Sequence, residues 1–478
     1  MAQVADLNLN TPSPKPVQKQ QSKIIFPQAT PKRWLILALF SASSITNAFQ
    51  WMQYLAVNNI IAKYYGVDSS VVDWFSMAYL FPYLIFVFPL NYLLDKTGLR
   101  FVTVLGAFGN ALGATIKLIG SRQDLLTVAM VGQFISGTAQ VCILGVPSRL
   151  AAVWFGAKEV STATAIGVFA NQVGVALGFV LVPIAVPEPD PWDANVVFTN
   201  LCNMYYWTSA VTIAIFIAIV IAYENKPTHP PSYAQALLVN DQFQEGYWHS
   251  LKLFFTDISF VLLFIAYGLN AGAYYGLSTE LNRVMGKYFK DANQDIGRVG
   301  LTITVAGLVG GLLIGFFLDK FHIYKWSAVV VSVLSFGFMV AYTFLLTIKK
   351  MWVIYIIGAV LGFFMTSFLP LGFEFAAEIT YPLSESTSAG LINCGAQFGS
   401  LIVIVAMGNL ISEHGALAAN LLPCACLLVS AILSFFIQEN LKRQSAESAK
   451  KVSSRRISTP NLDKIYAISR NNSVESGH

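Results

Sequence analysis

Ionisable side chains are scarce in this chain, and they are missing from the places where a coupled membrane carrier needs them. Asp, Glu, Lys and Arg make up 12% of 478 residues, and none stands in the central part of a long apolar run; Asp73, Lys117, Glu280, Arg298 and Glu374 all fall near a run's end. Intramembrane carboxylates and histidines serve as proton relays, and they cost too much in lipid to be kept idly. Their absence from the span centres argues against proton coupling. The five histidines, His229, His249, His322, His414 and His478, all lie in connecting or terminal segments. The five cysteines, Cys142, Cys202, Cys394, Cys424 and Cys426, lie inside the apolar runs, so neither a disulfide framework nor a metal site is implied. Glycine-rich phosphate loops and nucleophile triads are also missing. No cofactor and no catalytic residue is therefore expected, and the chain does not read as an enzyme.

What the chain has instead is apolar surface. It is 55% hydrophobic with a mean hydropathy of +0.59, far beyond what a water-soluble chain of this length carries. Runs long enough to cross about 30 Å of hydrocarbon recur at roughly 34–62, 70–94, 99–119, 125–148, 160–184, 200–223, 254–279, 296–318, 326–347, 351–373, 386–411 and 416–437. These predict an all-α membrane protein with twelve transmembrane helices. Residues 1–31 are polar and rich in Pro, Gln and Lys, so no cleavable signal peptide is expected and both termini lie on one side. With the termini cytoplasmic, 21 of the 30 Lys and Arg residues fall on the inner side, as the positive-inside rule requires. The net charge of +5 then reflects topology and calls for no nucleic-acid partner. The expected setting is the plasma membrane, with an internal membrane left open, and the expected state is a monomer in the lipid bilayer.

Residues 1–33 and 439–478 read as disordered cytoplasmic tails, the second with a basic Arg455-Arg456-Ile457-Ser458 stretch that fits a phosphorylation site. Between them lie an N-terminal bundle of six helices (34–223), a long linker (224–252) and a C-terminal bundle of six (253–438). The halves are internal repeats. At an offset of 225 residues, Ala151 and Ala152 fall on Ala376 and Ala377, Ser161 and Thr162 on Ser386 and Thr387, Gln172 on Gln397, and Gly174 on Gly399. Repeats of this kind are related by a pseudo-two-fold axis, and a polar residue that recurs mid-helix faces that axis. Gln172 and Gln397 are thus expected to look at each other across a cavity.

A second repeat places Asn91, Asp95, Gly98 and Arg100 after the second span, and Gly315, Asp319 and Lys325 after the eighth. It resembles, in part, the loop signature of the major facilitator superfamily. A carboxylate at a helix end can pair with a cation or cap a neighbouring helix and so hold one conformation shut. Asp95 with Arg149, Asp319 near the Ser386-Thr387 helix start, and the neighbouring Arg100 and Glu374 are the gate candidates. The span interiors hold rings and amides: Asn47, Gln50, Trp51, Gln53 and Tyr54 in the first, Asn270, Tyr274 and Tyr275 in the seventh. Tryptophan in a span usually sits at the interface, so Trp51 beside amides in mid-span suggests a cavity wall. Such a box without a carboxylate suits a weakly hydrated cation such as a quaternary ammonium, each ring face contributing up to about 2 kcal/mol.

Several stretches are long and specific: the run from Asn47 to Tyr54, Asp73 to Met77, Ile143 to Arg149, Val153 to Gly156, Lys158 to Thr162, Gly362 to Thr366 and Leu369 to Phe375. Together they resemble the feline leukaemia virus subgroup C receptor family of the major facilitator superfamily, from about Arg33 to Arg443. The resemblance implies two pseudo-symmetric six-helix bundles and a facilitative carrier of choline, in some members ethanolamine, working by alternating access. It implies an ammonium cage of Trp51 and Tyr275 with Met77 and Tyr274 alongside, the last a position where relatives carry phenylalanine, and hydroxyl-binding glutamines at Gln172 and Gln397. Two other readings remain: a haem exporter of the same fold, for which an imidazole ligand is missing from the spans, and a membrane receptor that binds solute without moving it.

Overall fold

A computed structural model describes residues 30–156, 159–227, 253–290, 292–321, 323–381, 383 and 385–442. The expectations for the tails and for most of the linker fall outside the described residues. Apolar sequence in a bilayer must satisfy its backbone hydrogen bonds internally, which favours helices. The described chain is accordingly helical: α1 (Lys32–Leu55), α2 (Asn58–Tyr65), α3 (Ser69–Thr97), α4 (Leu99–Ile119), α5 (Leu126–Leu144), α6 (Pro147–Trp154), α7 (Val160–Ala185), α8 (Ala194–Ala222), α9 (Ile258–Gly286), α10 (Asn293–Phe321), α11 (Tyr324–Leu345), α12 (Met351–Thr380), α13 (Glu385–His414) and α14 (Ala416–Phe436). Twelve helices among the described residues, all but α2 and α6, are long and apolar enough to span a membrane.

Two of the expected runs break in two. The first span ends at Leu55, and residues 58–65 form the separate α2. The run through 125–148 stops at Leu144, and α6 restarts at Pro147, a residue whose missing N–H is harmless in a helix's first turn. α3, α10, α12 and α13 outrun their apolar windows, because backbone hydrogen bonding continues past the edge of the hydrocarbon. Asp68, Asp193 and Asp257 cap α3, α8 and α9, each accepting from the backbone N–H two residues on. Gly98 separates α3 from α4 with a φ of +86°, and a Cβ there would run into the Asn225 side chain.

The contacts repeat between the halves. In the first, α1 packs on α7 and α8, α3 on α5, and α4 on α5 and α8. In the second, α9 packs on α13 and α14, α10 on α12, and α11 on α12 and α14. The halves meet through two equivalent pairs, α7 with α10 and α3 with α13. The largest apolar cluster is shared: Trp51, Met77 and Phe179 from one half pack with Tyr274, Met365 and Met407 from the other. Ile221, Phe316, Trp352 and Trp207 stay largely exposed on the outer faces, as side chains that meet lipid do.

The repeat explains its own glycines. A Cβ on Gly174 of α7 would strike the backbone oxygen of Ile45 in α1, and one on Gly399 of α13 would strike that of Gly268 in α9. Gly178 lies against Met52, and Gly272 against Gly399. Each half is thus closed by a seam in which two helices approach backbone to backbone, the device that substitutes for hydrophobic association inside a membrane. Gly399→Val should lower the thermal unfolding midpoint and cost about 1–3 kcal/mol, the range for overpacking. Gly315→Val, at a position where a Cβ meets nothing within 4 Å, should leave the midpoint unchanged in the same fluorescence-detected assay.

Candidate substrate site

Near the C-terminal end of α1 and just past the middle of α9 the two halves touch through aromatic rings. Trp51 of α1, 2% exposed, meets the half-buried Tyr275 of α9 edge to face, with centroids 5.4 Å apart and planes at 76°. Tyr79 of α3 stacks behind Trp51 at 6.3 Å, and Tyr274 lies 5.5 Å from Tyr275. Met77 packs in the same cluster. The indole N–H of Trp51 donates to Ser76 Oγ at 2.9 Å, and Ser76 reaches across to Thr279 Oγ1 at 3.0 Å. Ring contact at this distance leaves no space for a trimethylammonium between Trp51 and Tyr275, so a cation held by both faces requires the rings to part.

The amides divide into two groups. Asn47 and Gln50, expected at the cavity wall, turn into the first half instead. Asn47 Nδ2 donates to Asn110 Oδ1 at 3.2 Å and to the Ser136 carbonyl at 3.0 Å. Gln50 Nε2 donates to Asn110 Oδ1 at 2.6 Å, and its Oε1 accepts from Ser136 Oγ at 2.9 Å. Their contribution to the rings is indirect, since Tyr79 O–H donates to Asn47 Oδ1 at 2.6 Å. Gln172 and Gln397 differ from this pattern. Gln172 Oε1 accepts from Tyr274 O–H at 3.2 Å, across the halves, while Gln397 is 1% exposed and neither of its amide atoms has a hydrogen-bond partner.

A family model described as Major Facilitator Superfamily matches residues 39–337 and 263–472. The chain is 45% identical over 416 residues to the choline/ethanolamine transporter flvcr2a of Danio rerio, covering 87% of this chain and 88% of that protein. It is 44% identical over 415 residues to the choline/ethanolamine transporter FLVCR1 of Felis catus, covering 87% and 74%. The chain belongs to the feline leukaemia virus subgroup C receptor family of the major facilitator superfamily. It is a multi-pass membrane transporter and not an enzyme. Solved structures agree on the fold: the fucose:proton symporter FucP of E. coli (TM-score 0.60, 16% identity, 85% and 100% of the two chains) and a bacterial homolog of the human lysosomal transporter Spinster (0.64, 12%, 87% and 99%).

In this transporter an ion pair joins the halves at the end away from the chain termini. Arg283 of α9 donates to Asp73 Oδ2 of α3 at 2.6 Å and to Ser412 of α13 at 2.7 Å, with Glu280 3.6 Å from the guanidinium. Asn282 donates to the Ala56 carbonyl at 3.1 Å and accepts from the Asn59 N–H at 3.4 Å. In the sequence Asp73, Lys117 and Glu280 stand near span ends; in the structure they are 3%, 0% and 0% exposed. Lys117 Nζ donates to Gln53 Oε1 at 2.8 Å and Gln133 Oε1 at 3.2 Å inside the first half. The missed signal was a run of polar residues, Asp73 and Ser76 on one helix and Thr279, Glu280 and Arg283 on another, at helical spacing on facing elements.

The expected gate residues lie toward the other end. Asp95 and Asp319 fall in the last turns of α3 and α10, Arg149 on α6 and Glu374 on α12. Arg100 binds within its own half, donating to the Val220 carbonyl at 3.1 Å and, through its backbone N–H, to Asn225 Oδ1 at 3.3 Å. Above the Asp73–Arg283 pair lies a polar cleft of about 580 Å³ lined by residues of both halves, among them Asn59, Asn282 and Lys287. Breaking a buried pair from one side costs about 3–5 kcal/mol. Asp73→Asn should therefore open this end and speed modification of Asn282→Cys by a membrane-impermeant maleimide at least tenfold; equal rates in the two backgrounds would show that the pair does not hold the halves together.

Proposed function

We propose that the chain carries choline and ethanolamine down their electrochemical gradient by alternating access, as a uniporter, with the ammonium held between Trp51 and Tyr275. The observation that carries this reading is the ring pair itself: one ring from each half, in contact at 5.4 Å, inside the shared core of the molecule. A weakly hydrated cation is attracted to ring faces by about 2 kcal/mol each when desolvated. Micromolar affinity needs about 8 kcal/mol, so the rings alone fall short. Met77 adds a polarisable contact, and the unpaired amide of Gln397 and the Nε2 of Gln172 are available to a hydroxyl oxygen. The relatives named choline/ethanolamine transporters support the substrate class.

With both termini cytoplasmic, the Asp73–Arg283 end faces outward and is shut in this conformation. Binding then proceeds from inside, or from outside after that pair opens, and the halves rock about the site. A membrane potential negative inside drives a cation inward by about 2.3 kcal/mol per 100 mV, so accumulation needs no coupled ion. The plasma membrane and a monomeric state complete the proposal.

Trp51→Ala in proteoliposomes should reduce labelled choline uptake at least a hundredfold, with Trp51→Phe retaining a measurable fraction; wild-type rates in the alanine variant would exclude the cage. Uptake at fixed potential should not change when a proton or sodium gradient is collapsed. Unlabelled choline and ethanolamine should compete with the labelled substrate, whereas competition by haem alone would favour the exporter reading.

A further inference from the structure

Tyr274 and Tyr275 are neighbours in sequence, and the structure sends their rings to different helices. Tyr275 meets Trp51 on α1, while the Tyr274 hydroxyl donates to Gln172 Oε1 on α7 at 3.2 Å. Consecutive helical side chains point about 100° apart, and α1 and α7 pack side by side, so one turn of α9 touches both. Tyr274 is 0% exposed within the shared apolar core, where an O–H has to find an acceptor. Gln172 keeps 8% exposure, and its Nε2 neither bonds to a described residue nor is enclosed by protein.

A glutamine amide offers an acceptor at one atom and two donors at the other, and only its hydrogen-bond network decides which way round it stands. A buried phenol that donates to Oε1 favours the orientation in which Nε2 faces away from it. We propose that Tyr274 is a positioning residue: it clamps the Gln172 carbonyl and leaves the amide N–H groups to the substrate, so that the site recognises a solute oxygen as a hydrogen-bond acceptor. This inference rests on the reading that Gln172 meets the hydroxyl end of an alkanolammonium. It assigns the selectivity for that hydroxyl to a residue that need not touch it. Gln397, with both amide atoms unpaired, has no equivalent clamp.

Tyr274→Phe keeps the ring and its packing and removes only the hydroxyl. The test measures labelled choline uptake by full-length protein in liposomes, together with competition by ethyltrimethylammonium, which lacks the hydroxyl. Wild type, Tyr274→Phe, Gln172→Leu and the double variant are compared. Tyr274→Phe should raise the choline KM about tenfold, equivalent to 1.4 kcal/mol, with the maximal rate and the ethyltrimethylammonium inhibition constant unchanged. In the Gln172→Leu background it should add nothing. An equal loss for both ligands, or effects that add in the double variant, would make Tyr274 a plain wall of the site and overturn the inference. A wild type that discriminates between the ligands while Tyr274→Phe discriminates equally well also overturns it, and leaves the proposed function standing. A wild type that does not discriminate removes the inference together with the Gln172–hydroxyl reading it rests on.

Discussion

Trp51 and Tyr275 belong to different halves, and under the proposed cage the contact between their rings makes holding a cation and rearranging the molecule parts of one event. A solute cannot lie between two faces that touch edge to face at 5.4 Å. Whatever parts the rings also shifts α1 relative to α9, and with them the serine-threonine bridge from Ser76 to Thr279 and the Tyr274–Gln172 bond. Three cross-half contacts thus lie within about one and a half turns of α9. Farther along the same helix, Arg283 grips Asp73. The π-electron faces can attract a cation without an anionic partner in contact; the buried carboxylates of Asp73 and Glu280, about one turn farther along α3 and α9, are turned to Arg283 instead.

The two halves share a contact plan but not a polar interior. In the first, Asn47, Gln50, Asn110 and Ser136 satisfy one another, and Lys117 is held by Gln53 and Gln133. In the second, Asn270, Gln397 and Asn420 are buried with no hydrogen bond to their side-chain amides. A fully connected buried network rigidifies, and a partly connected one leaves groups that a ligand or water can satisfy. The Asn47–Gln50–Asn110–Ser136 network therefore gives Trp51 a stiff backing through Tyr79, while Gln133 and Asn171 of the same half, like Asn270, Gln397 and Asn420 of the second, keep unspent hydrogen-bonding capacity.

Much of this was legible in the chain. Apolar run length gave twelve spans, and the offset of 225 residues pointed to the paired glutamines and glycines. Trp51, midway along the apolar run 34–62 although only four residues from the end of α1, marked the ring pair, since a tryptophan away from the expected interface needs a reason to be there. Asn47 and Gln50 went the other way, into the first half. An amide beside a tryptophan on a helix points about 100° away from it, and sequence does not say which face looks at the axis. Asp73 and Glu280 were legible only as charges near span ends, and Arg283 drew no reading; only tertiary packing reveals that α3, α9 and α13 converge there to bury them. The break after Leu55 was hidden by the apolar character of both segments.

The glycine seams bear on how selectivity survives motion. Gln397 is flanked by Gly395 and Gly399, which fix α13 against α9, and α9 carries Tyr275. Gly174 and Gly178, just beyond Gln172, fix α7 against the segment of α1 that carries Trp51. Each ring is therefore mounted with its glutamine on one rigid jaw. In the proposed alternating access the gap between the jaws changes while the spacing inside each does not, so the same chemical question would be put to the solute from either side of the membrane.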